Sequence, residues 1–568
     1  MKKLLVYFTL LSSLCATAQN INYDWAANIG GSDRDEGKSI VVDSNGDTYI
    51  TGYFQGTADF DPSATTANLS AVGQDVFLAK YDASGNYLWA NNLGGSSDEI
   101  GQALALDANG NIYVTGRFEG TVDFDPSSAT ATLSAAGVYD IFLAKYDAAG
   151  NYLWAIRMGS DEAVGLALAV STGGDVYVTG YFSGTTDFDP SANTANLSST
   201  GIWDVFLAKY DGAGTYLWAN SMGGANLDGG KAVTLDANDN AYITGYFRGP
   251  ADFDPSAGTA TLNSAGFGSI FIAKYDALGN YQWAHGISGT GSDEGSGLAL
   301  DGNGNLYVTG LFSDVVDFDP SSATANLTSV GISDVFLAKY DVAGNYIWAN
   351  SMGNSNFDFS GSLALDANSN IYITGAFQQT ADFDPSGATV NLNAAGSWDV
   401  YLAKYDAAGN YVWANRIGST GTDFGNSIAL DANGNPHITG FFEATADFDP
   451  SATTANLSSA GMFDVYLAKY SNSSGLSNGD DFNFSSAQKH AEKIKVYPNP
   501  SSSSFTVELE ESWAQLSLVD ASGKVLEELE AHHGARIEMG AKLNPGVYIL
   551  QVQYQNGVTK TKRIVKVK

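Results

Sequence analysis

The sequence predicts an all-β protein, a seven-bladed β-propeller followed by a small Ig-like β-sandwich. Three observations predict this. A unit of about 65 residues recurs through most of the chain, each unit reads as four strands, and the charge balance changes near Lys489. Trp-Ala occurs at Trp25, Trp89, Trp154, Trp218, Trp283, Trp348 and Trp413. Leu/Ile-Ala-Lys-Tyr recurs in phase with it, with lysines at Lys80, Lys145, Lys209, Lys274, Lys339, Lys404 and Lys469. Four-stranded antiparallel units in tandem suit a propeller, where radial packing buries both faces of each sheet.

The elements follow in chain order. Residues 1–18 read as an export signal: Lys2 and Lys3 precede a mostly apolar run from Leu4 to Leu14, and Ala16-Thr17-Ala18 forms a small-residue cleavage site before Gln19. The run is too short to span a bilayer, and no later stretch approaches the ~18–20 apolar residues of a transmembrane helix. Cleavage there removes Cys15, the one cysteine of the chain, so its rarity carries no message about a reducing compartment.

The propeller is expected over residues 19–470. In the second unit the strands are Ala103–Leu106, Ile112–Phe118, Ile141–Tyr146 and Tyr152–Ile156, and the outer two turns read Asp-Ala-Asn-Gly-Asn and Asp-Ala-Ala-Gly-Asn. Asn and Gly accept positive φ, and a leading Asp bonds backbone amides across the turn. The last unit ends at Leu467-Ala468-Lys469-Tyr470 without a fourth strand, whereas Ile21–Ala26 is a fourth strand with no third before it. One orphan should complete the other and close the ring, which removes two exposed edges. Ala105 to Gly116, Asp75 to Asp82 and Gly85 to Ala90 together give a repeat that resembles the bacterial β-propeller repeat family SBBP. The resemblance implies a propeller at the bacterial surface or outside the cell, with no single activity.

Residues 471–492 read as a Ser/Asn/Gly-rich linker. Residues 493–568 hold short strand-like runs at Ser504–Leu509, Gln515–Val519, Ile537–Met539, Val547–Gln553 and Thr559–Val567. This segment is similar to the C-terminal sorting domain (type A) of the type IX secretion system of Bacteroidota. The likeness rests on Val496, Tyr497, Pro498, Asn499 and Pro500 at its start, on Val519 to Lys524, on Leu543 to Tyr548 with Gly546 and Tyr548, and on the basic end. It implies passage across the outer membrane by way of the secretion machinery, then release or surface anchoring. An ordinary Ig-like ligand-binding module is the alternative.

The chain carries 27 basic against 62 acidic side chains, a formal charge of −35, which opposes nucleic acid as a partner. Most of the acidity lies in the repeats. Asp-Phe-Asp-Pro places Asp59 and Asp61, Asp123 and Asp125, Asp187 and Asp189, Asp252 and Asp254, Asp317 and Asp319, Asp382 and Asp384, and Asp447 and Asp449 in the connection between the second and third strands. A further acid precedes the first strand in six units, at Asp35, Glu99, Asp228, Asp293, Asp358 and Asp423, with Ala163 the exception. All these carboxylates should crowd one rim. Oxygen-rich clusters can hold calcium, and the fourteen motif aspartates are its candidate ligands. Against this, Asp before Pro is a turn former whose carboxylate satisfies local amides.

The repeated lysines read as structural partners of carboxylates and the repeated tryptophans as packing between blades. Trp203 and Trp398, which interrupt the pattern just before the third strand, suit stacking on sugars. No catalytic set stands out. Gly475 to Gly479 matches Gly-x-Ser-x-Gly only in the linker, and the paired acids are too numerous to single out a glycosidase pair. The expected function is therefore binding or adhesion to an extracellular protein or glycan. The rivals are a carboxylate-based polysaccharide hydrolase or lyase and a purely structural surface-layer component.

Overall fold

The computed structural model describes residues 21–159, 161–472, 494–497, 503–509, 513–519, 524–530, 536–544, 546–554 and 559–566. The export signal and most of the expected linker lie outside these residues. The described residues contain strands and no helix. The chain divides into two compact units, Met1–Ser477 and Asn478–Lys568.

The first unit is a propeller built from seven four-stranded antiparallel sheets. Blade 2 shows the plan, with strands Ile100–Leu106, Ile112–Phe118, Asp140–Tyr146 and Tyr152–Met158 in spatial order. Val, Ile, Phe and Tyr fill these strands, and the second and third are buried on both faces. The turn between the first two strands is closed by Asp107. Its Oδ1 accepts from the amides of Asn109 and Asn111 at 2.9 Å each, and Gly110 supplies a φ of 77°. Gly116, in the repeated Thr-Gly pair, is required by a close approach: a Cβ there would stand 1.9 Å from the carbonyl oxygen of Ile100 on the neighbouring strand.

The first strands of successive sheets touch one another in sequence, and that of blade 7 (Phe424–Leu430) touches that of blade 1 (Glu36–Val42), so they surround a central axis. The cycle is completed by the N-terminal strand. Ile21–Gly31 pairs antiparallel with Asp464–Asn472, with Ala26 opposite Ala468, and becomes the fourth strand of blade 7. Ser471 and Asn472, expected in the linker, extend this pairing instead.

Hydrophobic clusters lie between neighbouring sheets. Tyr49, Val76 and Leu78 of blade 1 pack with Leu104, Val114 and Phe142 of blade 2. Each such fully buried side chain contributes about 1.5–3 kcal/mol. Between the second and third strands the structure has a three-residue hairpin that the sequence pattern does not signal, Thr121–Asp123 with Thr132–Ser134 in blade 2. Equivalent hairpins bridge to the fourth strand of the preceding blade, as at Gly223 with Asp252 and Gly94 with Asp123.

The second unit has two sheets. One orders Ile494–Tyr497, Phe505–Leu509 and Arg536–Met539, and the other Val525–Glu530, Trp513–Val519, Gly546–Tyr554 and Thr559–Lys566. Both contribute to one core that includes Phe505, Val507, Leu516, Leu518, Met539, Leu550 and Ile564. The strands Ile494–Tyr497 and Val525–Glu530 add to those the sequence predicts.

Candidate functional site

The two ends of the propeller differ in kind. At the turn end, each repeated lysine is tied into its own blade. Lys145 Nζ lies 3.4 Å from Asp107 Oδ2, 4.5 Å from the Tyr113 ring centroid, and donates to the carbonyl of Gly212 in the next blade at 3.0 Å. Trp154 Nε1 donates to the same carbonyl at 3.3 Å, so lysine and tryptophan together hold one turn of the neighbouring blade. Blade 7 varies this arrangement, because His437 replaces the tyrosine. It is fully buried, its Nδ1 is 3.0 Å from Thr48 Oγ1, and burial lowers its pKa to about 4.

At the connection end, the Asp-Phe-Asp-Pro motifs clamp their own loops. Asp59 Oδ1 accepts from the amides of Asp61 at 3.0 Å and Ala67 at 2.8 Å, and Asp61 Oδ1 accepts from the amide of Ser63 at 2.9 Å. The pattern recurs in the other blades at Asp123 and Asp125, Asp187 and Asp189, Asp252 and Asp254, Asp317 and Asp319, Asp382 and Asp384, and Asp447 and Asp449. The intervening phenylalanine is buried against two others, as Phe60 is against Phe54 and Phe77. Among the described residues no three His, Cys, Asp or Glu side chains converge to hold one metal ion.

The six acids before the first strands do not join an exposed rim. They are buried between blades, with relative exposures of 0–2%. Asp35 accepts from the amides of Gly31 at 2.7 Å and Gln55 at 3.0 Å, and Asp423 from those of Ser419 at 2.6 Å and Glu443 at 3.0 Å. These bonds favour the charged form, yet loss of water outweighs them. The pKa is raised to about 7 at Asp35 and Asp293, about 8 at Glu99 and Asp358, and about 6 at Asp228 and Asp423.

A second set of buried acids, at the start of the third strands, has no counterpart in the sequence reading. Asp75, Asp204, Asp334, Asp399 and Asp464 each face the acid of the following blade across a glycine. At Gly353, for example, a Cβ would stand 2.6 Å from Asp358 Oδ2 and 2.7 Å from Asp334 Cγ. Where Ala163 breaks the series, Arg157 Nη1 reaches the lone Asp140 at 2.8 Å. The recurrence of Asp five residues before each repeated lysine was the available signal; Ser269 is the exception.

Around the axis on this same end the blades cease to repeat. Residues before the third strand of one blade and before the first strand of the next form seven parallel bridges: Arg34 with Phe463, Gln74 with Asp98, Tyr139 with Glu162, Trp203 with Leu227, Gly268 with Ser292, Ser333 with Phe357 and Trp398 with Thr422. The backbone is constant there and the side chains are not. In blades 6 and 7, Phe424 stacks on Phe441 at 5.1 Å and also meets Phe359 at 5.4 Å and Trp398 at 5.0 Å. Phe441 contacts Phe463 at 5.0 Å, and the Arg34 guanidinium lies 4.9 Å above Phe463. In blade 3, Trp203 stacks on Tyr181 at 4.4 Å and donates from Nε1 to Glu162 at 3.2 Å.

Both tryptophans singled out by sequence thus belong to this face. Phe424, Phe441 and Phe463 were missed, although comparing equivalent repeat positions would have exposed them. The glutamates here are engaged: Glu36 with Lys38 at 2.5 Å, Glu162 with Trp203, and Glu294 with Lys231 at 3.6 Å.

In the second unit, Tyr497 ends a strand opposite Thr506, and Gly546 pairs with Lys566. Tyr548 donates to the carbonyl of Asn544 at 2.8 Å and lines a cleft of about 610 Å³ with Leu526, Glu527 and Leu543. Pro498, Asn499 and Pro500 lie outside the described residues.

Comparison with known proteins agrees with this division. Residues 24–56 and 282–311 match the beta-propeller repeat family SBBP, and residues 495–567 match the secretion system C-terminal sorting domain. An uncharacterized WD repeat-containing protein of Acanthamoeba polyphaga mimivirus is 26% identical over 528 residues, covering 78% of this chain and 38% of the relative. The regulatory protein FlaEY of Caulobacter vibrioides is 24% identical over 338 residues, covering 55% of this chain and 34% of the relative. The chain therefore spans less than two-fifths of the length of these curated relatives.

Among solved structures, a quinohemoprotein alcohol dehydrogenase of Pseudomonas putida superposes with a TM-score of 0.39 at 13% identity, covering 85% of this chain and 79% of that one. A ulvan lyase superposes with a TM-score of 0.37 at 10% identity, covering 74% and 92%. The sorting domain implies secretion or cell-surface localisation of the kind found in Bacteroidota. The first unit thus carries segments similar to the SBBP β-propeller repeat, and the second a segment similar to the secretion system C-terminal sorting domain.

Proposed function

We propose that the protein is a binding or adhesion module, exported through the type IX secretion system, that takes an extracellular protein or glycan on the connection face around the propeller axis. One observation carries the reading. The turn end repeats Lys, Tyr, Trp and Asp at equivalent places from blade to blade, whereas at the seven bridges around the axis of the connection face the side chain differs at almost every blade. Aromatic side chains held by their neighbours give large contact area at little entropic cost, as recognition surfaces require.

Full-length secreted protein applied to glycan and extracellular-protein arrays tests this, with Trp398→Ala and Phe441→Ser as variants. The expected result is a ligand whose binding both variants weaken about tenfold or more. Binding that neither variant alters would overturn the assignment to this face. Removal of residues 493–568 should leave the protein in the periplasm, and normal export without them would refute the secretion route.

A further inference from the structure

Between residues 19 and 488 the chain has only 14 basic side chains. Seven are the repeated lysines of the turn end, and Arg157 and Arg416 reach buried Asp140 at 2.8 Å and Asp399 at 2.7 Å. The remaining five, Arg34, Lys38, Arg117, Lys231 and Arg248, all stand on the connection end near the axis. Four lie over aromatic rings: Arg34 on Phe463, Lys38 on Tyr53 at 5.7 Å, Arg117 on Tyr139 at 4.0 Å and Lys231 on Tyr246 at 5.9 Å. A strongly acidic propeller thus gathers on one face every cation other than the turn-end lysines and the two arginines on buried aspartates.

The gathering is tightest over blade 4. A cleft of about 230 Å³ is lined by Trp203, Lys231, Tyr246, Arg248, Ser292 and Glu294, among others. It is smaller than the roughly 300–1,000 Å³ of drug-sized pockets, on the scale of one sugar ring. Arg248 forms no ion pair among the described residues, and its Nε is buried there without a hydrogen-bond partner. Lys231 is held by Glu294 at 3.6 Å, beyond hydrogen-bond length, so its donors remain available. Trp203 is fixed by its stack on Tyr181 and its bond to Glu162, which makes it a preformed wall. Asp293, which also lines the cleft, has Oδ1 occupied by the amide of Ser313 at 3.0 Å, and burial raises its pKa to about 7.

We propose that this cleft binds the acid-bearing residue of an acidic polysaccharide, with Arg248 and Lys231 holding a uronate carboxylate or a sulfate ester and Trp203 and Tyr246 walling the sugar ring. The inference rests on the reading of the connection face as a binding surface. The guanidinium fork suits bidentate capture of either anion. The surrounding negative field slows approach of a polyanion, but at 0.15 M salt the screening length is about 8 Å, so the local cations decide.

The test uses the full secreted chain at about 0.15 M salt, with polygalacturonate against its fully methyl-esterified form and dextran sulfate against dextran. Each charged polymer that occupies the cleft should bind about tenfold or more tightly than its neutral partner. The arm that binds identifies the carboxylate or the sulfate. Arg248→Gln and Lys231→Gln should each remove most of that preference with the melting temperature unchanged. Equal binding of charged and neutral forms, or a preference that survives both substitutions, overturns the proposal. Should no polysaccharide bind while a protein ligand is lost on Trp398→Ala, the saccharide assignment fails and the binding face stands. Should nothing bound depend on this face, both fail.

Discussion

The turn end and the connection end of the propeller are made by the same strands, yet around the axis the side chains of the connection end vary from blade to blade while those of the turn end repeat. At the turn end, Lys145, braced by Asp107 of its own blade, and Trp154 both bond the Gly212 carbonyl of the next blade, and Lys209 and Trp218 do the same at Ala277. Each blade there needs the same fit to its neighbour, so the same residues recur. At the connection end the seven parallel bridges recur in the main chain whatever side chain each blade places there. Because the bridges form whichever residue type is present, the side chains at these positions are free to differ.

The largest effect that can break this comparison comes from opening the ring. Removing residues 21–31 leaves Asp464–Asn472 paired on one side only and exposes it as the edge of blade 7. We expect loss of cooperative unfolding and aggregation, read by calorimetry and light scattering. An unchanged melt would show that the blades do not depend on closure.

The buried acid pairs come next. A carboxyl whose folded pKa is raised keeps its proton between pH ~4 and its folded value, while the unfolded chain loses it. Stability should therefore fall as pH rises from about 4 to about 8, through Asp35, Glu99, Asp228, Asp293, Asp358 and Asp423. Asp358→Asn removes the charge and should stabilise the propeller at pH 8 by on the order of 3 kcal/mol, with little gain at pH 4. His437 acts in the opposite sense. Its depressed pKa costs stability as pH falls from about 6.5 to about 4, so His437→Tyr, which restores the repeat residue, should help only on the acid side. Chemical denaturation across pH 4–9 reads both limbs, and parallel curves for wild type and Asp358→Asn would refute the assignment.

The smallest effect is the sharpest on the comparison itself. Trp398→Ala on the connection face should cost less than Trp154→Ala on the turn end, because Trp154 Nε1 bonds the next blade and Trp398 packs beside Phe424 at a partly exposed site. A difference of about 1 kcal/mol in unfolding free energy is expected. Equal losses would mean that the aromatic face is structural.

Much of this was legible in the residues. The Trp-Ala and Leu/Ile-Ala-Lys-Tyr series mark strands and turns because hairpin chemistry is local, and two orphan strands announced their own pairing. Trp203 and Trp398 stood out as breaks in a regular pattern. The three-residue hairpins escaped because such short strands carry no alternation. The acids before the first strands looked like a rim, but burial depends on what the neighbouring blade places over them. Asp75 and its equivalents passed as part of a strand start, since nothing within one repeat reveals that its partner lies in the next.

The sequence by itself determined the repeat, the four-stranded unit, the closing strand and the sorting segment, all of which follow from residue type and spacing along the chain. Only the tertiary structure decided which carboxylates are buried and which clamp loops. It also decided that five scattered cations and the variable aromatics share one face. Those facts belong to the closed ring, which brings residues hundreds of positions apart to one axis and sets how much water each can reach.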